Sequence, residues 1–303
     1  MGNAAHATII TSDREEFGPS PRLVLLTRAR RNVGLWIGGS VVVFICLFAA
    51  IGPLLIPHDP YDGELVNRLL PPVWYEGGRV EHLLGTDQLG RDILARLAEG
   101  ARISLSIGLF VTVIACVIGV FLGMVAGYFA GWVDRMIMFF ITVRLALPVI
   151  LVALAVVSLI GSSFQTLIFL LGFLLWDRFA LVTRAATQQN LQFDYVLAAR
   201  AQGASTLWIL FREILPNIRD SIIVVATLEV AQAIILESAL SFLGMGVQAP
   251  LPSWGLMISE AREYILFDSW LIVIPGVALF FLVLGMNLLG DSIRDVTAPE
   301  GRR

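Results

Sequence analysis

Six stretches of apolar residues alternate with polar segments along the chain. An α-helix needs about 20 mostly apolar residues to cross the hydrocarbon core of a membrane. The pattern predicts spans over 33–56, 103–129, 136–160, 164–182, 221–243 and 270–289. A short Gly161-Ser162-Ser163 break separates the third predicted span from the fourth. The chain is therefore expected to be an all-α, polytopic membrane protein with six transmembrane helices.

The polar segments divide the chain around these spans. A cytoplasmic tail with a basic interfacial segment is predicted over 1–32, before the first transmembrane helix at 33–56, and no cleavable signal peptide is visible there. The loop 57–102 is assigned to the outer side. A core of five spans follows over 103–290, with a cytoplasmic loop at 183–220, and 291–303 forms a cytoplasmic tail.

Composition agrees with a membrane protein. Hydrophobic residues make up 57 % of the chain and charged residues 15 %, against about 25 % charge in soluble domains. All 21 cationic residues are arginines, so a Walker A lysine and a catalytic lysine are excluded. The net charge of −3 gives nucleic-acid binding no support.

Arginine placement predicts the orientation of the spans. If the N-terminus is cytoplasmic, six arginines fall on the outer side and the remaining fifteen lie inside or near the inner span ends. Cytoplasmic segments carry the excess of positive charge in membrane proteins. Both termini are therefore expected in the cytoplasm.

The loop 183–220 contains a short segment rich in small residues. Asp194 is a plausible N-cap for a helix over 195–202, and Gly203 suits the position just after its end. A second amphipathic segment is predicted from Thr206 to Leu215, ending at Pro216. From the residues alone, the short helix is either a connector on the membrane surface or a narrow element that docks into another protein.

This loop resembles the cytoplasmic motif of binding-protein-dependent ABC importer permeases, which runs E-A-A, three residues, Gly, nine residues, I-x-L-P. The chain matches its spacing with Leu197-Ala198-Ala199, Gly203 and Glu213-Ile214-Leu215-Pro216. Leu197 stands in place of the motif's glutamate, and Glu213 stands where many relatives have Ile or His.

The resemblance extends beyond the loop. LLGTDQLGRDILARLAEGARISL at 83–105, ESALSFLGMGVQAPLPSWGLMI at 237–258 and NLLGDSIRD at 287–295 are similar to signatures of C-type permeases. The family is that of the dipeptide, oligopeptide and nickel importers of the type I permease fold.

Membership would imply a multi-subunit importer in the bacterial inner membrane. The resemblance implies a homologous B-type permease, two ABC ATPase subunits that bind ATP and Mg, and an extracytoplasmic binding protein that delivers dipeptides or oligopeptides. The chain itself would bind no cofactor or metal and catalyse no reaction. The proposed contacts with the ATPase subunits are Ala198, Ala199, Arg200, Gly203 and Glu213.

Glycines in the second predicted span recur every four residues, at Gly119, Gly123 and Gly127. This spacing places them on one helix face, where small side chains allow another helix to approach closely. We interpret them as packing residues, with a direct role in substrate contact as the alternative.

Besides Asp177 and Arg178 near the end of the fourth predicted span, three charged residues lie within the spans. Glu229 and Glu237 are eight apart on one helix face, and Arg144, with Pro148, interrupts the third span. A charge in a span costs about 2.5–3.5 kcal/mol on insertion scales, so it is expected to face protein or water. Glu229, Glu237 and Arg144 are candidates for the translocation pathway. Hydrogen bonding between helices is the alternative for both glutamates, and a place just outside the hydrocarbon is a further one for Glu237. Snorkelling or pairing with an acid is the alternative for Arg144.

Two other classes of protein compete with the importer permease. A stand-alone secondary transporter is the first alternative, but no convincing internal repeat is visible. An intramembrane hydrolase is the second, but the chain has neither HExxH nor GxSxG, and its three histidines lie outside the predicted spans.

Overall fold

The computed structural model describes residues 27–297, and across this part of the chain no β-strand forms. Most of the predicted tail at 1–32 and the end of the tail at 291–303 lie outside the described residues. The helices are α1 (Val33–Leu55), α2 (Ile93–Phe129), α3 (Gly131–Ala146), α4 (Val149–Ile160), α5 (Phe164–Leu174), α6 (Asp177–Asn190), α7 (Asp194–Ala201), α8 (Thr206–Trp208), α9 (Leu215–Phe242), α10 (Trp254–Glu260) and α11 (Trp270–Thr297).

Several helices are longer than the spans predicted from hydropathy. Helix α2 begins at Ile93, ten residues before the predicted span, because Asp92 caps it by accepting a hydrogen bond from the Ala95 amide at 2.8 Å. Helix α11 likewise continues to Thr297. Hydropathy falls where charged residues begin, whereas helical geometry continues until the chain meets a cap or a turn.

The third predicted span is broken. Helices α3 and α4 meet at Leu147-Pro148 with a bend of 85°. The proline lacks an amide hydrogen and disfavours a helical conformation at the preceding residue, so the chain turns there. Five helical segments are long and apolar enough to cross a membrane, and the bent pair makes six if it counts as one span.

Packing directions show that the bent pair crosses as well. Gly119 lies against Trp176 and Gly127 against Thr187, so α2 and α6 run parallel. Helix α1 runs antiparallel to α11, because Gly34 lies against Ser292 and Gly38 against Gly285. Each of these two relations holds only if the chain crosses the membrane once between the end of α2 and the start of α5. The helices in that part of the chain are α3 and α4, so together they make this crossing. The chain thus spans the membrane six times, and positions 33 and 297 lie on the same side.

The glycine face of α2 forms the seam with α6. A Cβ atom would lie 2.3 Å from the Trp176 carbonyl oxygen at Gly119, 2.6 Å from the Ala180 oxygen at Gly123, and 2.7 Å from Thr187 Cβ at Gly127. The two backbones therefore approach too closely for any side chain. These three glycines pack helix against helix within the chain, which is the interpretation favoured above.

A buried ionic cluster closes the outer end of the bundle. Arg96 donates to Asp87 at 2.5 Å and to Glu260 at 2.8 Å, and Arg91 donates to the same two carboxylates at 2.7 and 3.3 Å. Arg96, Asp87 and Arg91 are all buried. The cluster joins the outer loop, the start of α2 and the end of α10.

Candidate functional site

Helix α7 is the short helix that the sequence predicts within the loop 183–220. It begins at Asp194, one residue earlier than expected, and Phe193 occupies the N-cap position. Asp194 therefore lies in the first turn, where a carboxylate interacts favourably with the helix dipole. At the other end, Gly203 has φ +82°, its amide donates to the Arg200 carbonyl, and the Ala204 amide donates to the Ala199 carbonyl. This is a Schellman ending, and it gives Gly203 the predicted role after the helix.

Three neighbouring elements hold α7 in place. Val196 and Ala199 are buried against the segment that follows, in a common apolar cluster with Ile209 and Ile214. The guanidinium of Arg200 lies 5.1 Å from the ring centre of Tyr128, which is at the end of α2. The Tyr195 hydroxyl lies 2.5 Å from Asn190 Oδ1, at the end of α6.

The opposite face of α7 is exposed. Ala198, Arg200 and Gly203 are exposed, whereas Ala199 faces the chain's own core. Leu197 is 49 % exposed, and the apolar side chains of Phe193, Leu207, Trp208 and Phe211 extend the same exposed surface. We call this set of residues, from Phe193 to Phe211, the coupling surface. Of the five predicted contact residues, three are therefore exposed on or beside it.

Glu213, the last of the five predicted contact residues, lies two residues after Phe211 and is half-buried. Burial, and then the nearby Glu213 carboxylate, raise the pKa of Tyr195. The Tyr195 hydroxyl donates a hydrogen bond to Asn190 Oδ1.

The segment after α7 does not end at Pro216, contrary to the prediction. Helix α8 passes into a π-helix over Ile209–Ile214, in which the Leu215 amide donates to the Leu210 carbonyl, and then directly into α9. Proline at the start of α9 has no amide hydrogen to donate. The wide π turn adjusts the hydrogen-bond register just before this position, so the helix continues through it.

A cavity of about 1080 Å³ opens at the inner end of the bundle. Its walls come from α6, α7, α9 and the end of α11. Polar and charged side chains contribute much of its lining: Arg178, Gln189, Asn190, Tyr195, Asn217, Asp220, Ser221, Glu229, Arg294, Asp295 and Thr297. Tyr195 of α7 forms part of the cavity wall.

Glu229 lines this cavity and is fully buried. Its Oε1 lies 3.1 Å from Nη1 of Arg178, whose side chain is 57 % exposed. Neither carboxylate oxygen has an aligned hydrogen-bond donor among the described residues. Among the described residues, the exposed Arg178 is the one ion-pair partner of Glu229. Sequence reasoning missed Arg178 as the partner, because 51 residues separate the two positions.

Arg144 is paired with an acid, as one of its alternatives proposed. Its Nε donates to the Leu174 carbonyl at 2.6 Å, and its Nη1 lies 3.2 Å from Asp177 Oδ2. It is not among the residues that line the inner cavity. The pair joins the end of α3 to the α5–α6 junction.

Glu237 lies in a cluster of serines and not on the cavity wall. Its Oε1 accepts hydrogen bonds from Ser241 at 2.7 Å and Ser253 at 2.8 Å, and Ser238 lies 3.5 Å from the other oxygen. Ser253 also caps α10, so the carboxylate fastens the loop between α9 and α10 to the outer end of α9. This is the hydrogen-bonding alternative stated above.

The sequence also gave no reason to expect a group of metal-ligating residues. The structure brings His58, His82 and Asp92 together at the outer end of α1 and α2. The separations of 24 and 10 residues match no familiar ligand spacing. Only the fold of the outer loop makes these side chains neighbours.

Two family models match the chain. One, described as "Binding-protein-dependent transport system inner membrane component", covers residues 119–303. The other, described as "N-terminal TM domain of oligopeptide transport permease C", covers residues 21–72. Together they cover the chain except for residues 1–20 and 73–118.

Curated relatives match over nearly the full length. The di/tripeptide transport system permease protein DppC of Pseudomonas aeruginosa is 39 % identical over 299 residues, covering 98 % of both chains. The dipeptide transport system permease protein DppC of Escherichia coli is 42 % identical and covers 89 % of this chain and 90 % of its own. The glutathione transport system permease protein GsiD of Salmonella paratyphi A is also 42 % identical, covering 89 % of this chain and 88 % of its own.

A solved structure shares the fold. The inward-facing MetNI methionine ABC transporter superposes with a TM-score of 0.54 at 19 % identity, covering 67 % of this chain and 97 % of that chain. The chain therefore belongs to the binding-protein-dependent inner membrane components of ABC transporters, and it has the fold of a type I importer permease. Its N-terminal match and its relatives place it more narrowly among the C-type permeases of the peptide group.

These findings confirm the resemblance drawn from the motifs. The chain is a multi-pass inner membrane protein and a channel component of a multi-subunit ABC transporter. The alternative of a stand-alone secondary transporter is set aside.

Proposed function

We propose that this chain is one of two permeases in an ATP-driven importer that takes up dipeptides or oligopeptides. Its partners would be a homologous B-type permease, two ATPase subunits and an extracytoplasmic binding protein. The ATPase subunits would bind ATP and Mg, since a chain without lysine has no Walker A site of its own. Relatives named for di- and tripeptide transport support the substrate class.

The coupling surface is the observation that carries this proposal. Helix α7 contacts the inner ends of α2 and α6 and the start of the α8–α9 helix, so its position is tied to three membrane-crossing elements. The face of α7 that points away from the bundle presents small and apolar side chains to the solvent. A helix that is anchored on one side and exposed on the other is suited to transmit the closure of an ATPase subunit.

The same geometry supports a proposed orientation. The described ends of α1 and α11 lie on one side, and the arginine excess favours the cytoplasm for that side. Helix α7 and the inner cavity lie on this side as well. Both termini would therefore be cytoplasmic.

A bulky side chain on the coupling surface tests the proposal. Ala198→Trp, in a complex reconstituted into vesicles, is expected to lower ATP-driven dipeptide uptake at least tenfold while the ATPase subunits keep basal hydrolysis. Ala198→Ser, a small change at the same exposed position, is the control. Unchanged uptake in the assembled Ala198→Trp complex would exclude this surface as the coupling contact.

Native mass spectrometry tests the subunit composition separately. The complex is isolated from its own membrane on a tag carried by this chain. A second permease and two ATPase subunits are expected. Recovery of the chain alone in gentle detergent would contradict the proposed assembly, whatever the uptake measurements give.

A further inference from the structure

The outer loop gathers two of the chain's three histidines beside one carboxylate. His82 Nδ1 lies 2.9 Å from Asp92 Oδ2, and His58 Nδ1 lies 3.9 Å from the same oxygen. The two imidazole rings are 4.6 Å apart between centroids. One ligand atom from each of the three residues falls within 4.8 Å of the others.

Asp92 brings the two imidazoles to one carboxylate oxygen. The Nδ1 atoms of His58 and His82 both lie near Asp92 Oδ2, so an ion bound among the three atoms would displace the proton between His82 and Asp92. The other oxygen of Asp92, Oδ1, accepts from the Ala95 amide at 2.8 Å. A hydrogen bond of this kind orients a ligating carboxylate, here with Oδ2 toward the two imidazoles.

The surroundings favour a cation. The three residues border a cavity of about 370 Å³ whose wall also contains Asp59, Asp62, Glu64 and Glu81. Among the described residues that line it, none is an arginine. The nearest buried arginines, Arg91 and Arg96, are already paired with Asp87 and Glu260. The acidic wall is therefore not neutralised by them.

We propose that His58, His82 and Asp92 form a binding site for a divalent transition-metal ion of the Zn²⁺ type on the outer face of the chain. Two imidazoles with carboxylate oxygen are a ligand set that Zn²⁺ accepts. A tetrahedral site with bonds of about 2.0–2.1 Å places its ligand atoms roughly 3.3 Å apart, so closing the group requires shifts of about 1 Å. A neighbouring carboxylate or a water completes the coordination.

The position of the site gives it a structural consequence. His58 follows the end of α1 by three residues, His82 lies in the middle of the outer loop, and Asp92 is the N-cap of α2. A bound ion would join these three segments across the outer end of the bundle. The proposal is independent of the substrate class and of the coupling surface.

Zinc binding to the intact complex tests the site. The complex is purified on a tag without histidine, stripped with a chelator and titrated with Zn²⁺ against a chromophoric competitor. One Zn²⁺ of micromolar or tighter affinity per copy of this chain is expected. His58→Ala should weaken that affinity at least tenfold, and His6→Ala, which changes the third histidine, should leave it unchanged.

The decisive variant is His58→Ala, because the His58 side chain is partly exposed and no hydrogen bond of the described structure depends on it. Co²⁺ provides a second reading: a tetrahedral ligand-field absorption is expected in the unaltered complex and should be lost in His58→Ala. Zn²⁺ should also raise the thermal midpoint of the unaltered complex only. No stoichiometric binding, or binding that His58→Ala leaves intact, would overturn the proposal.

Discussion

Two carboxylates on the same helix differ in how the protein surrounds them. Glu237 and Glu229 are both fully buried on α9, eight residues apart. Glu237 accepts hydrogen bonds from serines on two elements, whereas Glu229 has one ion pair to an exposed arginine and no aligned donor. Glu237 therefore joins two elements through hydrogen bonds, whereas Glu229 places a carboxylate on the wall of the inner cavity.

The contrast extends to the two ends of the bundle. At the outer end, Asp87, Arg91, Arg96 and Glu260 satisfy one another in a buried cluster. At the inner end, α6, α9 and α11 border a cavity of about 1080 Å³, and the buried Glu229 on its wall pairs with the exposed Arg178. Paired charges therefore fill the outer end of the bundle, whereas at the inner end they border an open space.

The largest loss of stability is expected for Arg96→Ala. This change removes one of the two buried arginines that Asp87 and Glu260 share and leaves Arg91 to balance both carboxylates. Removing one partner of a buried ion pair costs about 3–5 kcal/mol. The free energy of unfolding, or the thermal midpoint, of the purified chain in detergent is the measurement. Arg102→Ala is the control, because Arg102 pairs with Glu99 at 3.2 Å with its side chain about half exposed. Exposed pairs contribute about 0–1 kcal/mol. Equal losses in both variants would contradict the importance of the outer cluster.

A smaller loss is expected for Glu237→Ala. The change removes the acceptor of two short hydrogen bonds and leaves buried hydroxyls without it, which costs about 2–3 kcal/mol. The same unfolding measurement applies. Glu237→Gln should recover part of the loss, since its amide oxygen still accepts. A Glu237→Ala protein as stable as the unaltered chain would show that the serine cluster does not fasten the outer loop.

The smallest effect on stability is expected for Glu229→Gln. No aligned hydrogen bond is lost and the partner arginine is exposed, so the cost is about 1 kcal/mol or less. Uptake should respond instead, because the charge on the cavity wall disappears. A severalfold fall in ATP-driven uptake by the reconstituted complex is expected. Unchanged uptake, or instability as large as that of Glu237→Ala, would remove the distinction between the two glutamates.

Features that depend only on residues close in sequence were predicted correctly. Apolar runs located the spans, Gly203 marked the end of α7, and the four-residue spacing of the α2 glycines indicated a packing face. Pro148 was predicted to interrupt the third span, but the bend of 85° there was not predicted, and the passage of α9 through Pro216 was missed. Both prolines follow apolar segments, and tertiary packing decides whether the helix breaks or adjusts with a π turn.

Partners distant in sequence could not be predicted. Arg178 and Glu229, like the two outer histidines and Asp92, become neighbours only through the order in which the helices pack. The roles of Glu229 and Glu237 were also undecided, because the position of a residue on a helix face does not show which residues pack against it. Ser241 on the same helix and Ser253 at the start of α10 surround Glu237, whereas the inner cavity borders Glu229.

The passage of the helix through Pro216 has a consequence for signalling between the two faces. Residues 206–242 form one rod of 37 residues, about 55 Å long, with the coupling surface at one end and the Glu237 fastening near the other. When such a rod moves as one body, occupancy at either end biases the same equilibrium. If a partner bound at the inner end raises the affinity of the outer end for its partner, the outer partner raises the affinity of the inner end by the same factor. The six residues of the π turn lie between the two ends, so a change that breaks the helix there would lower the coupling factor equally in both directions.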